Sequence, residues 1–339
     1  MNRRPRRRKP AQAAPLPQRL GIDPVHLKFP AAADTGSTRE PGNPASTGGP
    51  ASGTPASART HLLTRLSAAA PGTVDRMLRD GEFRTADGSP LAWDAPYTPG
   101  LDIWFHRDLP PETPVPYDIP VLHRDDRILV ADKPHFLATT PRGSHLTQTA
   151  LARLRHGLGL PALSPAHRLD RLTAGLVLFI VDPAARGAYQ NLFRDRQVRK
   201  EYEALAAYDP SVARTLPRTV RSRIEKVPGI VAAREIPGEP NSESRIELLD
   251  RRGDLARYRL TPHTGRTHQL RVHMNAVGLP ILGDPYFPEL TDPAPDDFSR
   301  PLQLLARTLE FTDPLTGARH RFESRRTLQA WSDPQGWAA

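Results

Sequence analysis

The chain has no cysteine, three methionines, four tryptophans and only five lysines among its 47 basic residues, and no apolar run approaches the length of a membrane span. The missing cysteines exclude disulfides, thiolate nucleophiles and cysteine-ligated zinc together. A spanning helix needs about 20 consecutive apolar residues, and the basic N-terminus lacks the apolar stretch of a secretory signal. A cytoplasmic protein is therefore expected. Arginine so dominant over lysine reflects genome base composition more than a choice at every site, so a single arginine outside a motif carries little meaning.

Charge is present but unevenly placed. The formal net charge is +10, and residues 1–60 hold ten Lys/Arg against Asp23, Asp34 and Glu40. The remaining chain is close to neutral. A basic tail and local clefts, rather than a globally basic body, would have to hold a polyanion.

At 339 residues the length suggests two domains with a tail. Residues 1–58 are rich in Pro, Gly, Ala, Ser and Thr and show almost no hydrophobic period, so they read as a disordered basic tail whose run Arg3 to Lys9 could contact phosphates. Residues 59–108 read as a small subdomain. Leu62, Leu63 and Leu66 recur at helical spacing, a second helix through Val74, Met77 and Leu78 ends at Gly81, and a hairpin and the strand through Trp104 follow. This order is similar to the small RNA-binding domain named after ribosomal small-subunit protein four, an S4-like α/β subdomain. A plain accessory subdomain fits the same pattern.

Residues 109–120, with five prolines, read as a stiff extended linker. From 121 to about 330 short strands alternate with few helices. Strands are predicted at 128–131, 176–181, 201–206, 222–226, 245–249 and 257–261, and amphipathic helices at 146–158 and 184–193. Hairpins with few β-α-β repeats predict an α+β domain on a largely antiparallel sheet.

Two segments carry the chemistry. In His167-Arg168-Leu169-Asp170-Arg171-Leu172-Thr173-Ala174-Gly175 a lone carboxylate sits between two arginines in a polar loop that leads into an apolar strand. Flanking cations favour the ionised carboxylate, so Asp170 is expected to act as an anion or nucleophile rather than a proton donor. The second segment, Thr264-Gly265-Arg266-Thr267-His268-Gln269-Leu270-Arg271-Val272-His273, adds guanidinium and imidazole groups at a turn. His263, His268 and His273 do not form a metal site by pattern, because spacings of five do not repeat on one helix face.

Together these segments resemble the two central motifs of RNA pseudouridine synthases of the RluA-like, large-subunit ribosomal and tRNA type. Ile128 to Pro134, Arg199-Lys200-Glu201-Tyr202, Pro280 to Asp284 and Leu309 to Gly317 match further family segments in order. The resemblance implies a long, split, mixed sheet with a central cleft, and isomerisation of uridine to pseudouridine without metal or cofactor. It implies Asp170, Tyr202 and Arg271 as catalytic groups. Tyr202 would pack on the target base and could transfer a proton; Arg271 would pair with Asp170. Arg168 would fill the space left by a flipped-out base, and His167, Arg266, His268 and Lys200 would contact RNA. The expected partner is structured RNA, ribosomal before transfer, bound by a monomer with no membrane contact.

The chain departs from the family pattern at Ala174, where serine is usual, at His135, where glycine is usual, and at Leu305, where histidine is common. These departures mark a divergent subgroup. They also open a competing class, an RNA-binding protein that has lost catalysis. A metal-dependent nuclease built on Asp170, Asp284 and the histidines is a third class, and it lacks a carboxylate cluster.

Overall fold

A computed structural model describes residues 14–31, 57–67, 69–109, 111–294 and 296–338. The chain divides into two compact units, residues 1–110 and 111–339.

The first unit contains β1 (Val25–Lys28), α1 (Ala58–Arg65), α2 (Thr73–Arg79), β2 (Arg84–Thr85) and β3 (Asp102–Phe105). Its antiparallel sheet runs β1-β3-β2, with Val25 opposite Phe105. Ser57 caps α1 by accepting from the Thr60 N–H at 3.2 Å. Phe29, Leu62, Phe83 and Ile103 are fully buried in its core. Over residues 14–31 this corrects the expectation of a disordered tail spanning 1–58. The alternation of Val25, Leu27 and Phe29 is a period-2 strand signal, masked by a Pro- and Ala-rich surround, and it completes the small sheet. Residues 1–13 and 32–56, including the run Arg3 to Lys9, lie outside the described residues.

The second unit is built on one sheet of eleven strands. In chain order its elements are β4 (Val121–Arg124), β5 (Ile128–Lys133), α3 (Ala150–Leu158), β6 (Ser164–Pro165), β7 (Ala174–Ile180), α4 (Arg186–Arg194) and β8 (Arg199–Ala207). There follow α5 (Pro210–Ala213), β9 (Arg218–Glu225), β10 (Arg234–Ile236), β11 (Ser242–Arg252), β12 (Leu255–Pro262), α6 (Gln269–Ala276), β13 (Leu304–Thr312), β14 (Arg319–Glu323), α7 (Gln329–Ser332) and α8 (Pro334–Ala338). The main path runs β10-β9-β11-β12-β8-β13-β7-β5-β4, with β14 on β13 and β6 on β7. All pairings among the described strands are antiparallel except β13 with β7. The sheet is mixed and mainly antiparallel, as the hairpin pattern predicts.

The apolar runs of β5 and β7 are buried on both faces, which continuous rather than alternating hydrophobicity requires. Leu129, Ala131, Val177 and Phe179 face a core with Leu151 and Leu154 of α3 and Leu270 and Met274 of α6. Ile128, Val130, Leu176 and Leu178 face a second core with Tyr189 and Leu192 of α4. By contrast β9 alternates buried with exposed positions and β12 buried with half-buried ones.

Two expected boundaries move. The stretch 111–120 is extended but not a free linker: Val115 is buried in the main core, and the Tyr117 hydroxyl donates to the Phe298 carbonyl at 3.3 Å. Prolines make a stiff chain, and a stiff chain also serves as a strap. The unit continues past residue 330, because Trp331 and Trp337 pack with Ala174, Leu205 and Leu305.

β7 and β13 meet at Gly175, which pairs with Ala306 at φ +112°. A Cβ there would fall within 2.8 Å of the Ala306 carbonyl carbon and closer still to its oxygen. Gly175→Ala is therefore predicted to cost on the order of 3 kcal/mol of stability, from strain and overpacking together. Urea denaturation checks this, and a midpoint equal to that of the parent protein would show that the two strands can part without penalty.

Candidate active site

The loop between β6 and β7 carries Asp170, and its position is fixed through its backbone. The Thr139 hydroxyl donates to the Leu169 carbonyl at 2.8 Å and accepts from the Leu169 N–H at 3.1 Å. The fully buried Lys133 ammonium at the end of β5 donates to the carbonyls of Pro134 (2.9 Å) and Leu137 (2.8 Å), with a longer contact to that of Arg171 (3.4 Å). His135 Nδ1 donates to the Leu172 carbonyl at 2.7 Å. Burial lowers the Lys133 pKa to about 7, opposed by the Asp170 carboxylate. Lys133, Thr139 and His135 had no site role by sequence, although a lysine closing an apolar strand is a signal that it anchors something.

All eight sequence-predicted site residues line one cleft of about 770 Å³. Asp170, Arg168 and His167 come from the β6–β7 loop, Lys200 and Tyr202 from β8, and Arg266, His268 and Arg271 from the β12–α6 turn and α6. Eight arginine or lysine side chains line this cleft against the single carboxylate of Asp170. The guanidiniums of Arg142, Arg168, Arg171 and Arg196 have no hydrogen-bond or ion-pair partner among the described residues.

Tyr202 is held by the core, and burial together with the Asp170 charge raises its phenol pKa above the ordinary value. It is thus a neutral ring and a proton donor rather than a base at neutral pH. Burial, with Arg196, lowers the Lys200 pKa. In the β12–α6 turn the buried Gln269 accepts from Thr264 Oγ1 (2.7 Å) and the Arg266 N–H (3.0 Å), and donates to the Glu243 carbonyl (2.9 Å). His268 sits in the left-handed region at φ +57°, and its Nδ1 accepts from the Ala233 N–H at 3.2 Å.

Arg271 corrects an expectation. Its buried guanidinium makes a bidentate pair with Asp284, at 2.7 Å and 2.5 Å, and not with Asp170. The Tyr286 ring covers it at 4.4 Å from the centroid, and the Tyr286 N–H donates to the same carboxylate at 2.8 Å. A planar fork of donors matches a carboxylate in this way, and Asp284 reaches it from a loop that spacing alone does not place. His167 is likewise internally engaged: its Nε2 accepts from the Leu178 N–H at 3.1 Å, and its ring stacks on Phe193 at 4.3 Å. Ala174 and Leu305, two of the three departures from the family pattern, are register partners within one apolar cluster. They change the packing behind the loop rather than the cleft.

A cleft with one carboxylate among so many cations, laid across a mixed sheet, defines an enzyme that works on a polyanion. A family model described as RNA pseudouridylate synthase matches residues 127–276. The dual-specificity RNA pseudouridine synthase RluA of Haemophilus influenzae is 31% identical over 222 residues, covering 62% of this chain and 94% of the relative. The mitochondrial tRNA pseudouridine(32) synthase of Saccharomyces cerevisiae is 30% identical over 184 residues, covering 54% of this chain and 39% of the relative. The solved human RNA pseudouridylate synthase domain containing 4 is 24% identical with a TM-score of 0.49, over 64% of this chain and 92% of that chain. This chain belongs to the RluA-like RNA pseudouridine synthases, and it isomerises uridine to pseudouridine in RNA.

Two half-buried histidines with depressed pKa values predict an acid limit. Burial, with Lys200, holds the His167 pKa down to about 3, and burial, with nearby cations, holds that of His135 at about 4, against 6.5 for a free imidazole. A group depressed in the fold stabilises fully above its unfolded pKa and loses that contribution as pH falls toward its folded pKa. Stability should therefore drop from pH 6.5 toward 4. His167→Gln keeps an acceptor for the Leu178 N–H but cannot charge, and should move the acid midpoint down by roughly half a pH unit or more. Acid titration followed by circular dichroism checks this; coincident curves would place the acid sensitivity elsewhere.

Proposed function

We propose that the protein modifies one or more uridines in structured RNA, ribosomal before transfer, using Asp170 as the nucleophile and extruding the target base from its stack. The observation that carries this reading is the isolation of the Asp170 carboxylate in a cleft otherwise lined by cations. The cations hold the phosphates that flank the target, and the carboxylate is the one acidic side chain lining the cleft among the described residues.

The reaction breaks the bond from uracil N1 to the ribose C1′, turns the base and joins C5 to the same carbon. N1 gains a proton and C5 loses one, so no electrons are exchanged with the surroundings. Asp170 adds to C1′ or to the ring, and either route places a carboxylate against the reacting face of the base. Tyr202 supplies the opposing face, with its phenol kept protonated by burial. Arg271, locked on Asp284, carries positive charge into the cleft wall without neutralising Asp170 directly. The first unit we read as an accessory S4-like RNA-binding module, where Arg59 and Arg79 flank the half-exposed ring of Trp93.

Asp170→Asn removes the charge and keeps the shape. Turnover in a tritium-release assay should vanish while RNA binding stays within a few-fold of the parent. Substantial turnover by this variant would sink the nucleophile assignment. Mapping pseudouridines across the RNAs of a deletion strain identifies the substrate, and loss from transfer RNA alone would overturn the ribosomal preference.

Arg168, exposed and unpaired among the described residues, tests base extrusion separately. A guanidinium that replaces the extruded base stacks as well as attracts. Arg168→Lys should keep most binding yet lose roughly tenfold or more in rate on folded RNA, with a smaller defect on a short unstructured RNA. Equal losses on both would reduce Arg168 to a charge.

A further inference from the structure

The strap at 111–120 makes one contact that the chemistry of the cleft does not call for. The Glu112 carboxylate accepts from the N–H groups of Leu146 (3.1 Å), Thr147 (2.7 Å) and Gln148 (3.2 Å), and from Thr147 Oγ1 at 2.8 Å. Successive N–H groups aimed at one point form an anion-binding nest. Burial acts to raise the Glu112 pKa, and these hydrogen bonds outweigh it and hold the carboxyl below its ordinary value. Beside it the Val115 N–H donates to Gln148 Oε1 at 3.1 Å, and Val115 is buried, so the strap cannot slide.

The clasped residues form one root of a short excursion whose other root is Thr139, already tied to the Asp170 loop. Within the excursion Arg142 and His145 exchange backbone hydrogen bonds at 2.8 Å and 3.1 Å around a turn with Gly143 at φ +59°. Arg142 and His145 line the cleft, and the Arg142 guanidinium has no partner among the described residues. The geometry points to Glu112 as a positioning residue for RNA binding: by clasping 146–148 it fixes the excursion that carries Arg142 to the rim of the cleft, where Arg142 takes an RNA phosphate. This rests on the reading that RNA runs through the cleft.

Its signature is one of sign. Simple electrostatics says that deleting an acid near a polyanion's path tightens binding and leaves the number of released counterions unchanged or higher. Positioning says the reverse, because losing Glu112 releases the excursion and removes one phosphate contact. Binding of a synthetic hairpin RNA with uridines in its loop, followed by fluorescence anisotropy over a salt series, distinguishes the two. Glu112→Ala and Arg142→Ala should each weaken binding by about five- to tenfold and lower the salt slope by about one. The double variant should bind no worse than Arg142→Ala alone. Glu112→Gln, which keeps one acceptor oxygen and turns the other into a donor, should fall between Glu112→Ala and the parent and covers the case in which the alanine variant does not fold.

On unmodified ribosomal RNA, kcat should stay within about twofold of the parent for Glu112→Gln while KM rises. Tighter or unchanged binding by Glu112→Ala or Glu112→Gln, a normal salt slope for Arg142→Ala, or additive losses in the double variant overturns the proposal. Loss of turnover by the parent on ribosomal RNA would instead count against the substrate reading, and the binding series is scored independently of it.

Discussion

The placement of the Asp170 carboxylate depends on a buried ammonium. Lys133 has no solvent exposure, and its Nζ contacts three backbone carbonyls, two from the turn after β5 and one from the Asp170 loop. These carbonyls belong to irregular backbone with no strand partner, so without a donor each would carry the penalty of a buried unsatisfied acceptor. The cost is a charge taken out of water, visible in a lysine pKa lowered to about 7. The Thr139 bracket on Leu169 and the His135 bond to Leu172 finish the constraint. Asp170 is thereby held by its neighbours' backbone, and its side chain makes no hydrogen bond among the described residues. A carboxylate positioned in this way gives up no hydrogen bond when it moves onto carbon.

The same loop is pinned from behind by a close strand approach. Gly175 admits the Ala306 backbone where no side chain could fit, and this lets the parallel β7–β13 pair form in a sheet that is otherwise antiparallel. Beside it Ala174 and Leu305 pack together with Leu328 and Trp331. Two departures from the family pattern thus lie in one apolar cluster, and the third, His135, contributes a side-chain hydrogen bond to the loop where glycine would contribute none.

What could be read from the chain followed the range of the interaction. Strands in β5, β7, β8 and β12 were legible because their pattern is local, and the eight residues of the cleft were legible because motif order fixes them. β1 was not, since four residues of alternation inside a Pro- and Ala-rich stretch become a strand only when β3 supplies the partner. The strap at 111–120 looked like a linker because proline reports stiffness, not adhesion; only Val115 and Glu112 in place show where it binds. The Arg271 pairing with Asp284 escaped for a similar reason. Both Asp170 and Asp284 lie in motifs, and choosing between them requires the loop after α6 to fold back over the helix.

How a nearly neutral body can present so basic a cleft follows from strand periodicity. On β8, successive side chains point to opposite faces. Lys200 and Tyr202 enter the cleft, while Glu201 and Glu203 point away from it. There Glu203 pairs with Arg307 at 3.0 Å and Arg257 at 3.7 Å, and Glu201 with Arg199 at 2.5 Å and Arg259 at 3.9 Å. Acids and arginines neutralise each other across the strands of that face, where partly exposed ion pairs add little stability. On the cleft face Arg271 is taken by Asp284 and Arg194 by Asp195, while Arg142, Arg168, Arg171 and Arg196 have no acid partner among the described residues. The pleat therefore sorts the charge: one face is self-satisfied, and the other keeps four guanidiniums without an ion-pair partner among the described residues while sparing a single carboxylate for chemistry.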